Sequence, residues 1–362
     1  MLRRLALESF RNYRSQEFLP SPSLSLVTGA NGSGKSSLLE AIYLLSSGKS
    51  FRGGRPRRLI REDAGEAVIF AEVVRRSGDV HRLGVARGGS GFTRLRRDGR
   101  TVQGLSEIAW LLPVRIFHPG TLELVEGPSA VRRGYLDWGL FHVEQSFHGY
   151  WRDLRHALEN RNALLRQGGG SWRELEAWTQ QVAAASGRIN ALRNAYLERL
   201  RPHLEALLGS FPGLPPVSVA LQSGWPGESE DELLNTLRAE LDRDQRRGFT
   251  GRGAHRAELR LLSQGGLVRD IFSRGQCKVL GYLLLLAQVH ELTASGGEDC
   301  LVLVDDLASE LDEGHRDQMV EALLGLQQQT IFTALAADQL PSLVDRGAEM
   351  FHVEHGVLSR VQ

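Results

Sequence analysis

At 362 residues the chain has room for one large α/β domain with a subdomain, or for two ordinary domains at about 150 residues each. Hydrophobic residues at 41% and charged residues at 24% exclude a disordered or fibrous chain. A net charge of +1 excludes a uniformly basic nucleic-acid binder, though a local basic face balanced by acid elsewhere is allowed.

The expected elements alternate in a telling order. Leu2 to Leu7 alternates like a strand, and Leu24 to Thr28 is an apolar run feeding into a glycine-rich loop. Ser36 opens a helix whose apolar positions Leu38, Leu39, Ile42 and Leu45 recur at three and four residues until Gly48 stops it. From Ala67 to Arg97, short β-like runs separated by turn signals predict an antiparallel sheet. A strand at Val114 to Phe117 precedes a helical stretch from Gln145 to Leu208, broken at Gly168-Gly169-Gly170 into two helices. Phe211 to Gly227 reads as Pro- and Gly-bearing loop, and Glu230 to Arg246 as one helix. The C-terminal part then alternates helix (Gln276 to Leu292), strand (Cys300 to Val304), helix (His315 to Gln328) and strand (Thr330 to Thr333), closed by a hairpin around Gly356.

Three motifs carry chemistry. Gly29-Ala30-Asn31-Gly32-Ser33-Gly34-Lys35-Ser36 fits G-x-x-x-x-G-K-[ST], in which backbone N–H groups approach phosphates, Lys35 meets the β- and γ-phosphates and Ser36 holds Mg²⁺. Only three lysines occur, Lys35, Lys49 and Lys278, against a strong bias to arginine, and one of them stands at this invariant of the pattern. Leu301 to Asp306 is a buried strand ending in two carboxylates, the first placed to support Mg²⁺ and the second to face attacking water. Between these, Phe272-Ser273-Arg274-Gly275-Gln276 stands at a helix N-terminus, where free N–H groups and the helix dipole suit a γ-phosphate. Ser309-Glu310-Leu311-Asp312 follows the acidic strand.

With these motifs in this order, the chain resembles the ABC-type ATPases and, within them, the RecF family of DNA repair proteins. The resemblance spans nearly the whole chain and rests on Phe10-Arg11-Asn12-Tyr13, the P-loop, Gly127-Pro128, Arg132-Arg133, Leu136 to Gly139, Arg161-Asn162, His255-Arg256, Ser273 to Gln276, Asp305-Asp306 and Ser309 to Asp312. It implies an α/β fold, an ABC-type ATPase head with an antiparallel β subdomain and an inserted helical second domain. The head would comprise 1–118 and 250–362, and the helical domain 119–249.

The same resemblance implies ATP and Mg²⁺ as cofactors, with Arg11, Asn12, Gly29 to Ser36 and Ser37 binding nucleotide and Lys35, Asp305 and Asp306 catalytic. Ser36 and Asp305 would hold the metal, Ser273, Arg274, Gly275 and Gln276 would act in trans, and Asp312 would pin the interface of an ATP-dependent homodimer. Asp306, shorter than the Glu of many ABC ATPases, implies slow turnover. In the motif Thr250 to Arg256, Ala254 stands where the family has proline. Implied partners are single-stranded and gapped or junction DNA and RecR/RecO-type recombination mediators. Implied roles are recombinase loading in gap repair, replication restart and the SOS response.

The basic run Lys49, Arg52, Arg55, Arg57, Arg58 and Arg61 is the expected DNA contact, since such a cluster neutralises phosphates. A transporter ATPase subunit is disfavoured, because Arg274 replaces a glycine of the usual signature and no switch histidine follows Ile331-Phe332-Thr333. A long-armed SMC or Rad50-like tether is disfavoured too, because the helical stretch is too short for its coiled coil. His352 and His355 read as a surface hairpin rather than a metal site. Two cysteines, Cys277 and Cys300, fit a reducing cytosol better than a disulfide framework. The N-terminus lacks signal-peptide character, and the apolar run Val279 to Val289 falls short of the roughly 20 residues of a membrane span, so a cytoplasmic location without membrane is expected.

Overall fold

The computed structural model describes residues 1–167 and 171–361, so the expected break at Gly168-Gly169-Gly170 lies outside the described residues. Contacts divide the chain into two compact units, Met1–Thr121 with the chain from Leu284 onward, and Leu122–Leu283.

The first unit contains two six-stranded sheets. One is antiparallel, in the order Tyr13–Phe18, Leu2–Phe10, Glu66–Val74, Val80–Gly88, Gly91–Arg97, Arg100–Thr101. Along Glu66–Val74 every second residue is buried, as expected of a sheet with one face on a core. The other runs Val357–Arg360, Glu349–Glu354, Leu24–Thr28, Thr330–Ala334, Leu301–Asp305, Val114–Phe117, and is parallel except for its closing hairpin. Leu24–Thr28, Thr330–Ala334 and Leu301–Asp305 are buried at every residue, because a parallel sheet is covered on both faces.

Helix Lys35–Ser47 follows the first of these strands and ends where Gly48, at φ 69°, donates its N–H to the Leu44 carbonyl. Its Leu38, Ile42 and Leu45 join Leu5, Ile69 and Val85 of the antiparallel sheet and Val27, Leu303 and Ile331 of the parallel one in a single apolar cluster. Each such side chain contributes about 1.5–3 kcal/mol, so the helix is fixed against both sheets.

The second unit is mainly helical: Ser129–Val143, Phe147–Arg166 and the 38-residue Trp172–Gly209. Two expectations need correction. Ser218–Gln222, within the stretch read as loop, is a strand pairing antiparallel with Glu258–Ser263, which also pairs with Gly266–Leu267. Its partner lies some forty residues away, so the local Pro and Gly content hid it. The helix expected over Glu230 to Arg246 is two, Glu230–Ala239 and Leu241–Arg247, parted at Glu240.

A buried polar knot fixes the helices of this unit. Arg161, with no exposed surface, donates from Nη1 to Asp244 Oδ2 and Thr250 Oγ1, each at 2.8 Å, and from Nε to Thr179 Oγ1 at 3.0 Å. Asn162 accepts from the N–H and hydroxyl of Thr250. The Arg161-Asn162 pair and the Thr250 loop of the sequence resemblance therefore belong to one scaffold. Ala254 donates its N–H to Ser186 Oγ at 3.3 Å, a bond that proline in that place could not make.

Candidate functional site

Strand Leu24–Thr28 delivers the chain into the loop that ends at Gly34, which caps helix Lys35–Ser47 at φ 130° without a side-chain capping bond. A Cβ at Gly34 would lie 2.8 Å from Asn12 Nδ2 and 2.9 Å from the Tyr13 hydroxyl, so only glycine fits. The first-turn N–H groups of that helix have no intrahelical acceptor and define an anion site. Lys35 is buried, and its Nζ donates to the carbonyls of Gly29 at 2.5 Å and Ala30 at 3.0 Å. Burial draws the Lys35 pKa down, against the opposing pull of Asp306 and Asp305.

One hydroxyl contacts both Asp305 and Asp306 at the end of the acidic strand. Thr333, wholly buried on the neighbouring strand, donates to Asp305 Oδ1 at 2.9 Å and accepts the Asp306 N–H at 3.1 Å. Asp305 Oδ1 also accepts from Ser36 Oγ at 2.9 Å. Burial raises the Asp305 pKa, while the bonds from Thr333 and Ser36 lower it in part. Asp306 sits in the left-handed region at φ 52°, and its Oδ2 accepts from Ser309 Oγ at 2.8 Å. Asp306 Oδ1 is buried with no hydrogen-bond partner among the described residues, an acceptor held in reserve for a ligand or water. Ser36 Oγ and Asp305 are hard oxygen donors in contact, and they fit Mg²⁺.

These groups open on a cavity of about 940 Å³ lined wholly by the first unit. Arg11, Asn12, Asn31, Gly32, Gly34, Lys35, Ser36, Ser37, Asp305 and Asp306 reach it. Gly29, Ala30 and Ser33 stand behind the lining: the first two hold Lys35, and the Ser33 carbonyl accepts from Asn12 Nδ2 at 2.7 Å. Of the basic run assigned to DNA, Arg52, Arg57, Arg58 and Arg61 also line this cavity, whereas Lys49 and Arg55 do not.

Ser273, Arg274, Gly275 and Gln276 lie in the second unit. Ser273 Oγ accepts the Gln276 N–H at 3.3 Å and its N–H donates to Gln276 Oε1 at 2.9 Å, a reciprocal cap opening helix Arg274–Ala294, and Ser273 to Gly275 are exposed. Asp312 is exposed and caps helix Glu313–Gly325 through the His315 N–H at 3.1 Å, with its other oxygen 2.7 Å from His315 Nδ1. Among the described residues no cluster of three metal-ligating side chains occurs, and no helix is long and apolar enough to cross a membrane.

Sequence reasoning missed three residues. Thr333 has no motif of its own, and only its pairing register against Asp305 reveals it. Glu40, a carboxylate inside an apolar helix face, was a legible anomaly. Gly356, in the turn of the last hairpin, donates its N–H to the Ser33 carbonyl at 2.9 Å, and a Cβ there would meet the Asn12 carbonyl at 2.5 Å with φ at 77°. Gly356→Ala is expected to lower stability by more than about 1 kcal/mol, read as a shift in urea midpoint, and an unchanged midpoint would refute this brace on the loop.

Over residues 1–359 the chain matches the family model described as RecF/RecN/SMC N terminal domain, and fold and motifs define a head of that class. It is similar to the DNA replication and repair protein RecF of Edwardsiella ictaluri (strain 93-146), at 36% identity over 99% of both chains, and to that of Pseudomonas aeruginosa (strain LESB58), at 36% over 99% of this chain and 97% of the other. A solved structure of the recombination mediator protein RecF with ATP superposes with a TM-score of 0.90 at 25% identity, covering 100% of this chain and 97% of that one. An Smc head bound to the C-winged helix domain of ScpA shares the fold, with a TM-score of 0.55 at 17% identity over 99% and 96% of the two chains. The chain belongs to the RecF family.

Proposed function

We propose that the chain binds Mg-ATP in the 940 Å³ cavity and hydrolyses it slowly, using the nucleotide as a removable joint between two copies. The observation that carries this reading is the shared contact of Ser36 and Thr333 on Asp305 beside buried Lys35, with the unpartnered oxygen of Asp306 next to it. The ATP-containing RecF structure supports the choice of nucleotide.

In this reading the open N-terminus of helix Lys35–Ser47 and Lys35 take the phosphates, Arg11 and Asn12 flank them, and Ser36 and Asp305 hold the metal. Bound Mg²⁺ supplies charge neutralisation at the phosphates. Asp306, kept in place by Ser309 and the Thr333 hydroxyl, orients the attacking water. Arg52, Arg57, Arg58 and Arg61 add positive charge on the cavity wall, and the same run with Lys49 and Arg55 is the proposed DNA contact.

The exposed Ser273 to Gln276 cap is a preformed donor surface, suited to the phosphates held by a second copy, and Asp312 stands at that interface. The closed dimer would clasp gapped or junction DNA through its backbone, cooperate with RecR/RecO-type mediators in the cytoplasm to load recombinase, and release DNA on hydrolysis. It would thereby serve gap repair, replication restart and the SOS response.

The expected result in sedimentation is a monomer without nucleotide and a dimer with ATP, the dimer being lost in Lys35→Arg and Ser273→Arg. To move the population from 1:99 to 99:1, ATP must favour the dimer by about 5.5 kcal/mol. A monomer indifferent to both ATP and gapped DNA defeats the proposal.

A further inference from the structure

We infer that Glu40 is a positioning residue: by holding Arg11 and Ser50 at once, it fixes the arginine-rich segment that forms one wall of the cavity. The inference rests on the reading of that cavity as a nucleotide site.

Glu40 has no exposed surface, yet it lies in the middle of helix Lys35–Ser47, whose other inward positions are mostly apolar. An unpaired carboxylate there would be strongly disfavoured. It is instead saturated. Arg11 donates to it in bidentate fashion, Nε to Oε2 at 2.7 Å and Nη2 to Oε1 at 2.6 Å, and the Ser50 hydroxyl donates to Oε1.

Both partners lead to the same segment. Ser50 begins it directly. Arg11, in the left-handed region at φ 53°, donates its backbone N–H to the Leu59 carbonyl at 2.9 Å and Nη1 to the Arg58 carbonyl at 3.0 Å. One buried charge thus ties the nucleotide-binding helix, the turn between the first two strands, and both ends of residues 50–59. Arg52 and Arg58, on the cavity wall, form no salt bridge among the described residues, so the position of their charges depends on how the segment itself is held. Its apolar anchors are Phe51, edge-on to Tyr43 at 5.9 Å and tilted against His118 at 4.8 Å, and Leu59, buried in the apolar cluster.

Glu40 touches no cavity-lining space itself, since it is absent from the lining. Its effect passes through the segment and through Arg11, which itself reaches the lining, so Glu40 acts through its partners rather than on the ligand.

The test is hydrogen exchange of the nucleotide-free, full-length protein together with equilibrium binding of a fluorescent ATP analogue. Glu40→Gln is expected to speed exchange across residues 50–61 and to weaken the analogue about tenfold each, with strand Leu24–Thr28 still protected. Ser50→Ala, which leaves the Glu40 and Arg11 pair intact, is expected to give about a threefold change in the same segment. In the Glu40→Gln background it should add less than it does alone, because the hydroxyl's bond to residue 40 is already weakened while its bond from the Arg52 N–H remains to be lost. If Glu40→Gln does not fold, the local exchange change in Ser50→Ala decides.

Unchanged exchange over 50–61 in Ser50→Ala and Glu40→Gln overturns the inference, as does a loosening spread equally over Leu24–Thr28 and Leu301–Asp305. Altered exchange over 50–61 with analogue affinity unchanged overturns it as well. If the wild type binds no analogue, the nucleotide reading of the cavity falls, and the exchange result still decides whether Glu40 holds the segment.

Discussion

Asp306→Asn is expected to lower the rate of ATP hydrolysis by at least about 100-fold while leaving nucleotide affinity within about threefold. The substitution is close to isosteric, and asparagine tolerates the left-handed backbone that residue 306 adopts at φ 52°. Its carboxamide oxygen can still accept from Ser309, and its backbone N–H can still reach Thr333. What disappears is the carboxylate charge of a residue on the cavity lining. Single-turnover phosphate release separates this from binding, and hydrolysis at the wild-type rate would remove Asp306 from the chemistry.

Asp244→Ala is expected to destabilise the second unit by about 3–5 kcal/mol, because it leaves the Arg161 guanidinium buried without its counter-charge. Such a loss is a large share of the 5–15 kcal/mol typical of a domain. Replacing both partners, Arg161→Met with Asp244→Leu, should recover most of it, since the desolvation cost disappears along with the attraction. Tryptophan fluorescence in urea reads the effect selectively, as every tryptophan but Trp110 falls in Leu122–Leu283. A single mutant as stable as wild type would show that water reaches Arg161.

The legible part of this molecule was whatever local pattern or a short motif encodes. The loop Gly29 to Ser36, strand Leu301–Asp305 and the helix after Ser273 were readable because spacing alone forces their geometry. Strand Ser218–Gln222 was not, because its identity depends on register against Glu258–Ser263 rather than on its own alternation. Thr333 was hidden for a similar reason: a threonine in a strand is ordinary until its parallel neighbour is known to be Asp305. The arginines after residue 49 show how little a charge run says about placement. The run reads as a cluster able to neutralise phosphates, and the turn Pro56–Leu59 with the Arg11 bonds sets Arg52, Arg57, Arg58 and Arg61 on the cavity lining and Lys49 and Arg55 outside it.

The strand that launches the phosphate loop has a consequence for how this protein is made. Leu24–Thr28 is among the first segments synthesised, yet both its neighbours in the sheet, Thr330–Ala334 and Glu349–Glu354, are among the last, as is the Gly356 amide that braces Ser33. At ribosomal speeds of roughly 5–20 residues per second, the nascent loop waits about 15–65 s for these partners. During that interval a strand that ends wholly buried has neither edge satisfied, a state prone to wrong pairing. The brace on the phosphate loop arrives only with the final hairpin, so a ribosome stalled before it yields a chain that carries the whole motif without the contacts that hold it.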